Sequence, residues 1–420
     1  MPLTGLDIFK LLPKTNCGDC GVPTCLAFAM KVAAKQSAAE ACPHLTEQAK
    51  AALGAASAPP QRLVRIGSDE RALEIGNETV MFRHEEKFHR KPGIAVLVGD
   101  TDDLPQQAER IKALRFERVG QTIAVNMVAL GCVSEDAAKF RQAAEHLHGA
   151  LGLPMVLIAS NASLLGEAAH ATARPLLWER KGPSDDLIRL AAQLKLPVVA
   201  EGDLDKCDAD AQKAKAAGVE DLVLCPGEVN PAKALEFLTL TRRAALRANY
   251  RPLGFPSLVR AWAQEPVQQS LEACHYVCKY AGVVVISVDR PDYVLPILVM
   301  RQDVYIDPQK PVQVEPKLYD VGEPDERSPL LVTTNFSLTF YSVLGEVEVS
   351  RVPARILAVD TEGTSVLTAW AADKFGAQQI KKALQSTGAL EKLDPACRRP
   401  VIPGLVAVIS GELELSLIHI

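Results

Sequence analysis

The chain has 420 residues, 48% hydrophobic and 23% charged, with a formal net charge of −5, enough for two or three domains with substantial cores. No basic block is present, which argues against nucleic acid as a partner, and no apolar run reaches the ~18 residues a membrane span needs. The start lacks a secretory signal pattern, and four of the ten cysteines fall within the first 42 residues. That usage points to metal and a reducing cytoplasm rather than to disulfides.

In chain order, residues 1–57 read as a cysteine module. Apolar Leu6, Ile8, Phe9 and Leu12 make residues 1–14 a short helix that stops at Pro13. Cys17, Cys20 and Cys25 follow at C-x2-C-x4-C spacing, and Cys42-Pro43 comes after sixteen further residues of Ala-rich, helical pattern. Gly18 and Gly21 permit the tight, positive-φ turns that aim several thiolates at one point. Four thiolates suit zinc or an iron–sulfur cube. The matched C-x2-C knuckles of zinc sites are absent, and a final Cys-Pro is typical of ferredoxin-like clusters, which favours a 4Fe–4S cluster. His44 keeps a mixed-ligand zinc site open. A second Ala-rich helix is expected over 46–56 with Thr46 as N-cap. Ala58-Pro59-Pro60-Gln61 is then a stiff linker and the first domain boundary.

From residue 63 to about 308 the pattern changes to short apolar runs, expected as strands over 94–99, 122–130, 155–159, 176–178, 197–200, 222–225, 283–288 and 297–299. Helical patterns such as 137–148 and 186–194 separate them. Val/Ile/Leu runs without polar alternation indicate strands buried on both faces, hence a parallel sheet. Eight of them with intervening helices predict a (β/α)8 barrel, preceded by a hairpin over 63–66 and 78–82. Asp100, Ser160-Asn161, Glu201 and Asp289 end strands. They would lie at the mouth where a barrel enzyme keeps its chemistry, or simply where the chain leaves the core. Cys274 and Cys278, four apart with His275 between them, read as half a metal site or as packing thiols.

A Pro-rich passage opens a third unit near Val312. Strands are expected over 330–333, 354–361 and 405–410, with helices over 366–375 and 380–384 and a hydroxyl-rich loop T-T-N-F-S-L-T between the first two strands. Strand, Gly-containing turn, helix and strand make a Rossmann-like α/β unit. Small polar loops at strand ends suit a large ligand bearing amides and a phosphate.

The opening P-L-T-G-L-D-I-F-K-L-L-P-K-T-N-C-G-D-C-G-V-P-T-C-L-A-F-A-M resembles the N-terminus of the large (gamma) subunit of the corrinoid iron–sulfur protein, the methyl carrier of the anaerobic acetyl-CoA (Wood–Ljungdahl) pathway of carbon fixation. T-T-N-F-S-L-T-F, D-T-E-G-T-S-V-L-T-A-W and I-P-G-L-V-A-V-I-S-G resemble its corrinoid-binding segments. The resemblance covers nearly the whole chain. It implies a 4Fe–4S domain over 1–57, a TIM-like barrel over 58–310 that pairs with a small subunit as a heterodimer, and a corrinoid-binding domain over 311–420. By it Cys17, Cys20, Cys25 and Cys42 hold the cluster. Thr333, Thr339, Gly363, Thr364, Ser365 and Val366 line the corrinoid, with Thr368 close to its lower face. It further implies a methyltransferase component that cycles Co(I) and methyl-Co(III) between a methyltetrahydropterin methyltransferase and acetyl-CoA synthase, with a low-potential electron donor feeding the cluster.

One check on the residues bears on cobalt ligation. No D-x-H-x-x-G motif occurs, and beyond Val312 the only histidine is His419. A corrinoid here would lack a protein imidazole, and loss of a donor makes reduction to nucleophilic Co(I) easier, by ~59 mV for each tenfold bias; a base-off, histidine-off corrinoid is the expectation. After Gly411 the sequence L-E-L-S-L-I-H-I departs from the family pattern, so the corrinoid sheet is expected to be truncated. Two other readings stand beside the carrier. One is a barrel pterin-dependent methyltransferase with an accessory ferredoxin-like module, the other a cluster-only electron-transfer protein.

Overall fold

The computed structural model describes residues 5–33, 37, 41–46, 49, 59–68, 70–307 and 311–417. The chain divides into two compact units, one of residues 1–114 and 124–305, the other of 115–123 and 306–420. Of the helix expected over 46–56 only Thr46 and Ala49 are described, with Thr46 Oγ1 accepting from Ala49 N–H (3.2 Å); its other residues and Ala58 of the linker lie outside the described residues.

The first unit opens with α1 (Gly5–Leu11) and α2 (Cys25–Ala33). A hairpin of β1 (Leu63–Ile66) and β2 (Leu73–Gly76) follows. Its second strand is Leu73–Gly76, not the 78–82 expected. Gly76, at φ +86°, turns the chain where a Cβ would strike the Arg62 carbonyl. Beyond it Glu78 is drawn into a buried network: its carboxylate accepts from the backbone N–H of His89 (2.8 Å) and Arg90 (2.7 Å) and pairs with buried Arg242 at 3.3 Å.

The barrel begins with β3 (Gly93–Gly99) and α3 (Leu104–Ala113). A ribbon of β4 (Arg115–Arg118) and β5 (Gln121–Ala124) precedes β6 (Met127–Gly131). The single strand expected over 122–130 is therefore two elements. The break is at Asn126, whose side-chain oxygen accepts from Ile94 N–H (2.9 Å) and Arg301 Nη1 (2.8 Å). Next come α4 (Ala137–Leu151), β7 (Met155–Ala159), α5 (Ala162–Ala169) and β8 (Leu176–Glu179). They lead to α6 (Asp185–Leu194), β9 (Val198–Glu201), α7 (Leu204–Ala216) and β10 (Leu222–Cys225). The round closes with α8 (Pro231–Leu246), β11 (Ser257–Arg260), α9 (Pro266–Cys278), β12 (Ala281–Ile286) and α10 (Pro291–Val304).

Eight parallel strands close in the order β3-β6-β7-β8-β9-β10-β11-β12, with β12 pairing back to β3. The expected count is right, but its last member is not. Residues 297–299 lie in α10, where Val294, Ile297, Leu298 and Arg301 form one buried helical stripe. The missing strand is β11. The barrel interior is filled by residues such as Met127, Val156, Trp178, Val199, Leu258 and Val283, and the hairpin residues Val64, Ile66 and Ile75 belong to the same core.

In the second unit β13 (Leu318–Val321), β14 (Leu330–Thr334), α11 (Ser337–Ser350) and β15 (Ala354–Val359) come first. After them run α12 (Val366–Ala371), α13 (Ala377–Thr387) and α14 (Ser410–Leu417). The sheet is three-stranded, β13-β15-β14, with β14 and β15 parallel and β13 antiparallel. The strand expected over 405–410 is a 3-10 helix (Gly404–Ile409) running into α14. Val406, Ile409 and Leu413 point inward at helical spacing while Leu405 and Val408 are exposed. Val401 alone bridges to Leu331 in parallel beside β14.

Candidate functional site

The N-terminal cysteines sit on a loop that the sequence forces into tight turns. Lys14, Asn16, Gly18 and Gly21 all have positive φ, and Gly21 N–H closes on the Gly18 carbonyl at 2.8 Å. A Cβ on Gly18 or Gly21 would meet no atom within 4 Å, so conformation rather than crowding calls for glycine there. Asn16 fastens the loop to α2. Its side-chain oxygen accepts from Cys25 N–H (2.8 Å), and its own N–H points to Cys25 Sγ (3.4 Å). Cys25 and Cys42 are buried, and Cys20 packs against the same apolar cluster of Ile8, Leu12, Val22, Phe28, Ala29 and Leu45. Cys17 is exposed, outside that cluster. Its sulfur lies within 4.8 Å of ligand atoms of Asp19 and His44, which are themselves 2.6 Å apart. The His44 hydrogen bond, with help from Cys17, lowers the Asp19 pKa. Asp19 carries no signal in sequence; only the fold sets it beside His44.

The other cysteines differ. Cys132, Cys207 and Cys225 are buried in the barrel. Burial pushes Cys207 up to about 12 and Cys225 up as well. Cys274 and Cys278 fall in the last turns of α9, and burial raises both. These are packing thiols rather than ready ligands.

In the second unit the parallel strands β14 and β15 end side by side, Thr334 opposite Val359. Asn335 joins the two segments that leave them. Its carbonyl oxygen accepts from Thr361 N–H and Oγ1 (both 3.0 Å) and Gly363 N–H (3.1 Å), while its amide donates to Gln313 (3.0 Å) and Asp360 (3.3 Å). Gly363, at φ +73°, leaves room for Gln313, whose Cγ a Cβ there would approach to 2.8 Å. Around this knot Thr333 Oγ1, Thr334 Oγ1 and Ser337 Oγ are buried and have no hydrogen-bond partner among the described residues.

Of the residues the sequence singled out, Thr333 is buried at the end of β14, and Thr339 is half-buried in the first turn of α11. Gly363, Thr364, Ser365 and Val366 form the turn into α12, with Val366 buried. Thr368 is exposed, 3.1 Å from Ser365 through their hydroxyls. Thr334, Asn335, Ser337 and Thr361 were not singled out, although all are buried polar groups. A threonine or asparagine looks alike in sequence whether it faces water or the interior.

The polar residues at the barrel mouth hold loops. Asp100 accepts from Val133 N–H (2.8 Å), Ser134 N–H (3.0 Å) and Ser134 Oγ (2.5 Å). Burial opposes its charge, yet these bonds lower its pKa. Asn161 caps α5 by accepting from Leu164 N–H (3.1 Å), Glu201 accepts from Trp178 Nε1 (2.8 Å) and Lys181 N–H (2.9 Å), and Asp289 pairs with Arg110 (2.9 Å).

A closed parallel barrel with a thiol-rich N-terminal module and a second, hydroxyl-lined α/β unit defines a barrel protein with an iron–sulfur motif. Comparison narrows the class. Residues 63–418 match the family "CO dehydrogenase/acetyl-CoA synthase delta subunit", and residues 12–44 match "Putative Fe-S cluster". The chain is 40% identical over 421 residues to the corrinoid/iron-sulfur protein large subunit of Moorella thermoacetica, covering 99% of this chain and 94% of that one. It is 33% identical to the acetyl-CoA decarbonylase/synthase complex subunit gamma of Methanopyrus kandleri, covering 98% and 93%. A dihydropteroate synthase from Thermus thermophilus aligns with 56% of this chain and 97% of its own, at 18% identity and a TM-score of 0.40. The chain belongs to the family of corrinoid/iron–sulfur protein large subunits and acetyl-CoA decarbonylase/synthase gamma subunits. Among the described residues no helix is long and apolar enough to cross a membrane.

Proposed function

We propose that the chain is a methyl carrier of three domains, residues 1–57, 58–310 and 311–420. The first would hold a 4Fe–4S cluster on Cys17, Cys20, Cys25 and Cys42, and the third a base-off corrinoid. The observation that carries this reading is the trio of buried hydroxyls on Thr333, Thr334 and Ser337 with no partner among the described residues. A buried polar group left unpaired costs about 1–3 kcal/mol, and these three lie at the carboxyl end of β14 and the start of α11, the side on which open α/β sheets take ligands. An amide-bearing ligand supplies the missing partners. The burial of the thiols supports the first group. Three thiols share one apolar cluster, which lowers the local dielectric around a cluster, and the fourth faces solvent, where an electron donor reaches it.

When bound, the corrinoid supplies the cobalt that takes and gives the methyl group, and the cluster supplies electrons that restore it. The chain's own contribution is positional. Asn335 locks the β14 and β15 ends together, so the turn through Gly363, Thr364, Ser365 and Val366 is fixed before a ligand arrives. Thr339 and Thr368 present hydroxyls from the first turns of α11 and α12. No histidine lies within 311–417, so no imidazole of this unit's described residues reaches the metal. Partners on this reading are the small subunit, a methyltetrahydropterin methyltransferase, acetyl-CoA synthase and a low-potential electron donor. Pterin chemistry by the barrel itself has less support, because Asp100, Asn161, Glu201 and Asp289 are each engaged in holding loops.

Anaerobically prepared protein should contain cobalt and about four irons per chain. Its Co(II) resonance should lack the nitrogen splitting of an axial imidazole, and a clear triplet would exclude the base-off arrangement. Thr334→Val with Ser337→Ala should weaken cobamide retention by roughly tenfold or more while the iron content stays unchanged. Cobalt-free protein that does not take up cobamide would reject the carrier reading.

A further inference from the structure

The C-terminal mouth of the barrel holds a cavity of about 270 Å³ beyond β11 and β12, lined by Arg260, Trp262, Gln269, Ser287, Arg290 and Tyr293. These are the seventh and eighth strands of the barrel, the pair whose following loops frequently bind phosphate in (β/α)8 proteins. The cavity is built rather than incidental. Gln269 of α9 accepts from Ser287 and Val288 N–H, both at 2.8 Å, and Glu272 of the same helix accepts from Trp262 N–H (3.0 Å) and Ala263 N–H (3.2 Å). One helix thus pins both loops.

The charge in the cavity is unbalanced. Arg260 ends β11 with its guanidinium 4.2 Å over the Trp262 ring. Its Nε and the Trp262 Nε1 are both buried donors without a partner among the described residues. Burial disfavours the Arg260 charge, Arg180 repels it, and Glu228 offsets this only in part. The other ions are spoken for. Arg290 pairs with Asp292 at 2.6 Å, and Asp289 with Arg110 at 2.9 Å. A half-buried guanidinium beside an unpaired indole N–H is a ready receptor for an oxyanion.

We propose that this cavity binds a phosphate group, free or on a small ester, through the Nε–H of Arg260 and the Nε1–H of Trp262. The site is independent of the methyl-carrier reading, sharing no residue with the thiol module or the Asn335 crevice. Calorimetric titration of the intact protein with inorganic phosphate and with glycerol 3-phosphate, against a chloride-matched blank, should show one saturable site. Affinity should fall about tenfold or more in Arg260→Gln and stay unchanged in Arg141→Gln, an exposed arginine outside the cavity. Trp262→Phe should weaken binding and abolish the accompanying change in tryptophan fluorescence. Tighter binding of the ester assigns the site to phosphorylated metabolites, and equal binding assigns it to the phosphate group alone. No saturable heat with either probe would overturn the proposal. So would full affinity in both Arg260→Gln and Trp262→Phe with circular dichroism unchanged.

Discussion

Single thiols separate ligands from packing. Cys42 is buried in one cluster with Ile8, Phe28, Leu45 and Cys25, whereas Cys207 of α7 donates weakly to the Ala200 carbonyl of β9 at 3.3 Å. Cys42→Ala should therefore drop iron well below the roughly four atoms a cube requires, while Cys207→Ala should keep full iron, both read by metal analysis and the charge-transfer absorption. Full iron retention without Cys42 would reassign the fourth ligand, with exposed His44 or Asp19 next in reach of the loop. At this scale the sequence was legible where chemistry is dense. Four cysteines within 26 residues announce themselves, but Thr334 and Ser337 do not, because what distinguishes them is burial without a partner.

Elements were legible where a run of apolar residues was long enough to have one interpretation. The core strands β3, β7 and β10 fall where β-rich runs stand between helical patterns. β11 has only four residues, enters from Pro256 and ends in a charged Arg260, so it offers almost no apolar run. Residues 297–299 offer one and belong to a helix, since three consecutive apolar residues cannot distinguish the two periods. Long-range contacts also redraw boundaries, as Glu78 shows. Its partner Arg242 comes from α8 and stacks on Phe88 and Tyr280, 5.5 and 5.0 Å from their ring centroids. Glu78→Ala would leave that guanidinium buried and unpaired. The expected cost is about 3–5 kcal/mol, measured by chemical denaturation, and replacing both residues with apolar ones should recover much of it. An effect below about 1 kcal/mol would mean that water already solvates the pair.

At the scale of the whole molecule, the proposed cluster ligands and corrinoid loops lie at opposite ends of the chain. Among the described residues no general acid or methyl acceptor accompanies the thiols apart from the Asp19–His44 pair. On the proposed function, that module supplies electrons. Cobalt-replete Cys20→Ala should accept and donate methyl groups once a strong chemical reductant has reduced it. The same variant should fail to recover from Co(II) when only a protein donor is present. Failure of the prereduced variant to exchange methyl groups would give the cluster a part in transfer, and normal recovery with the protein donor would make it structural.

The ribbon of β4 and β5 belongs to the second unit although it interrupts the first. There Gly120 lies so close to Tyr341 of α11 that a Cβ would collide with the phenol. The unit is therefore discontinuous in the gene, and its two pieces leave the ribosome far apart in time. At about 5–20 residues per second the ribbon waits on the order of ten seconds or more for the helix that Gly120 meets. During that interval the ribbon has no Tyr341 to pack against, and the barrel is nearly finished before that residue is made. Synthesis speed through residues 124–305 thus becomes a determinant of yield, and a gene fragment beginning at residue 306 would encode a unit missing two of its five described strands.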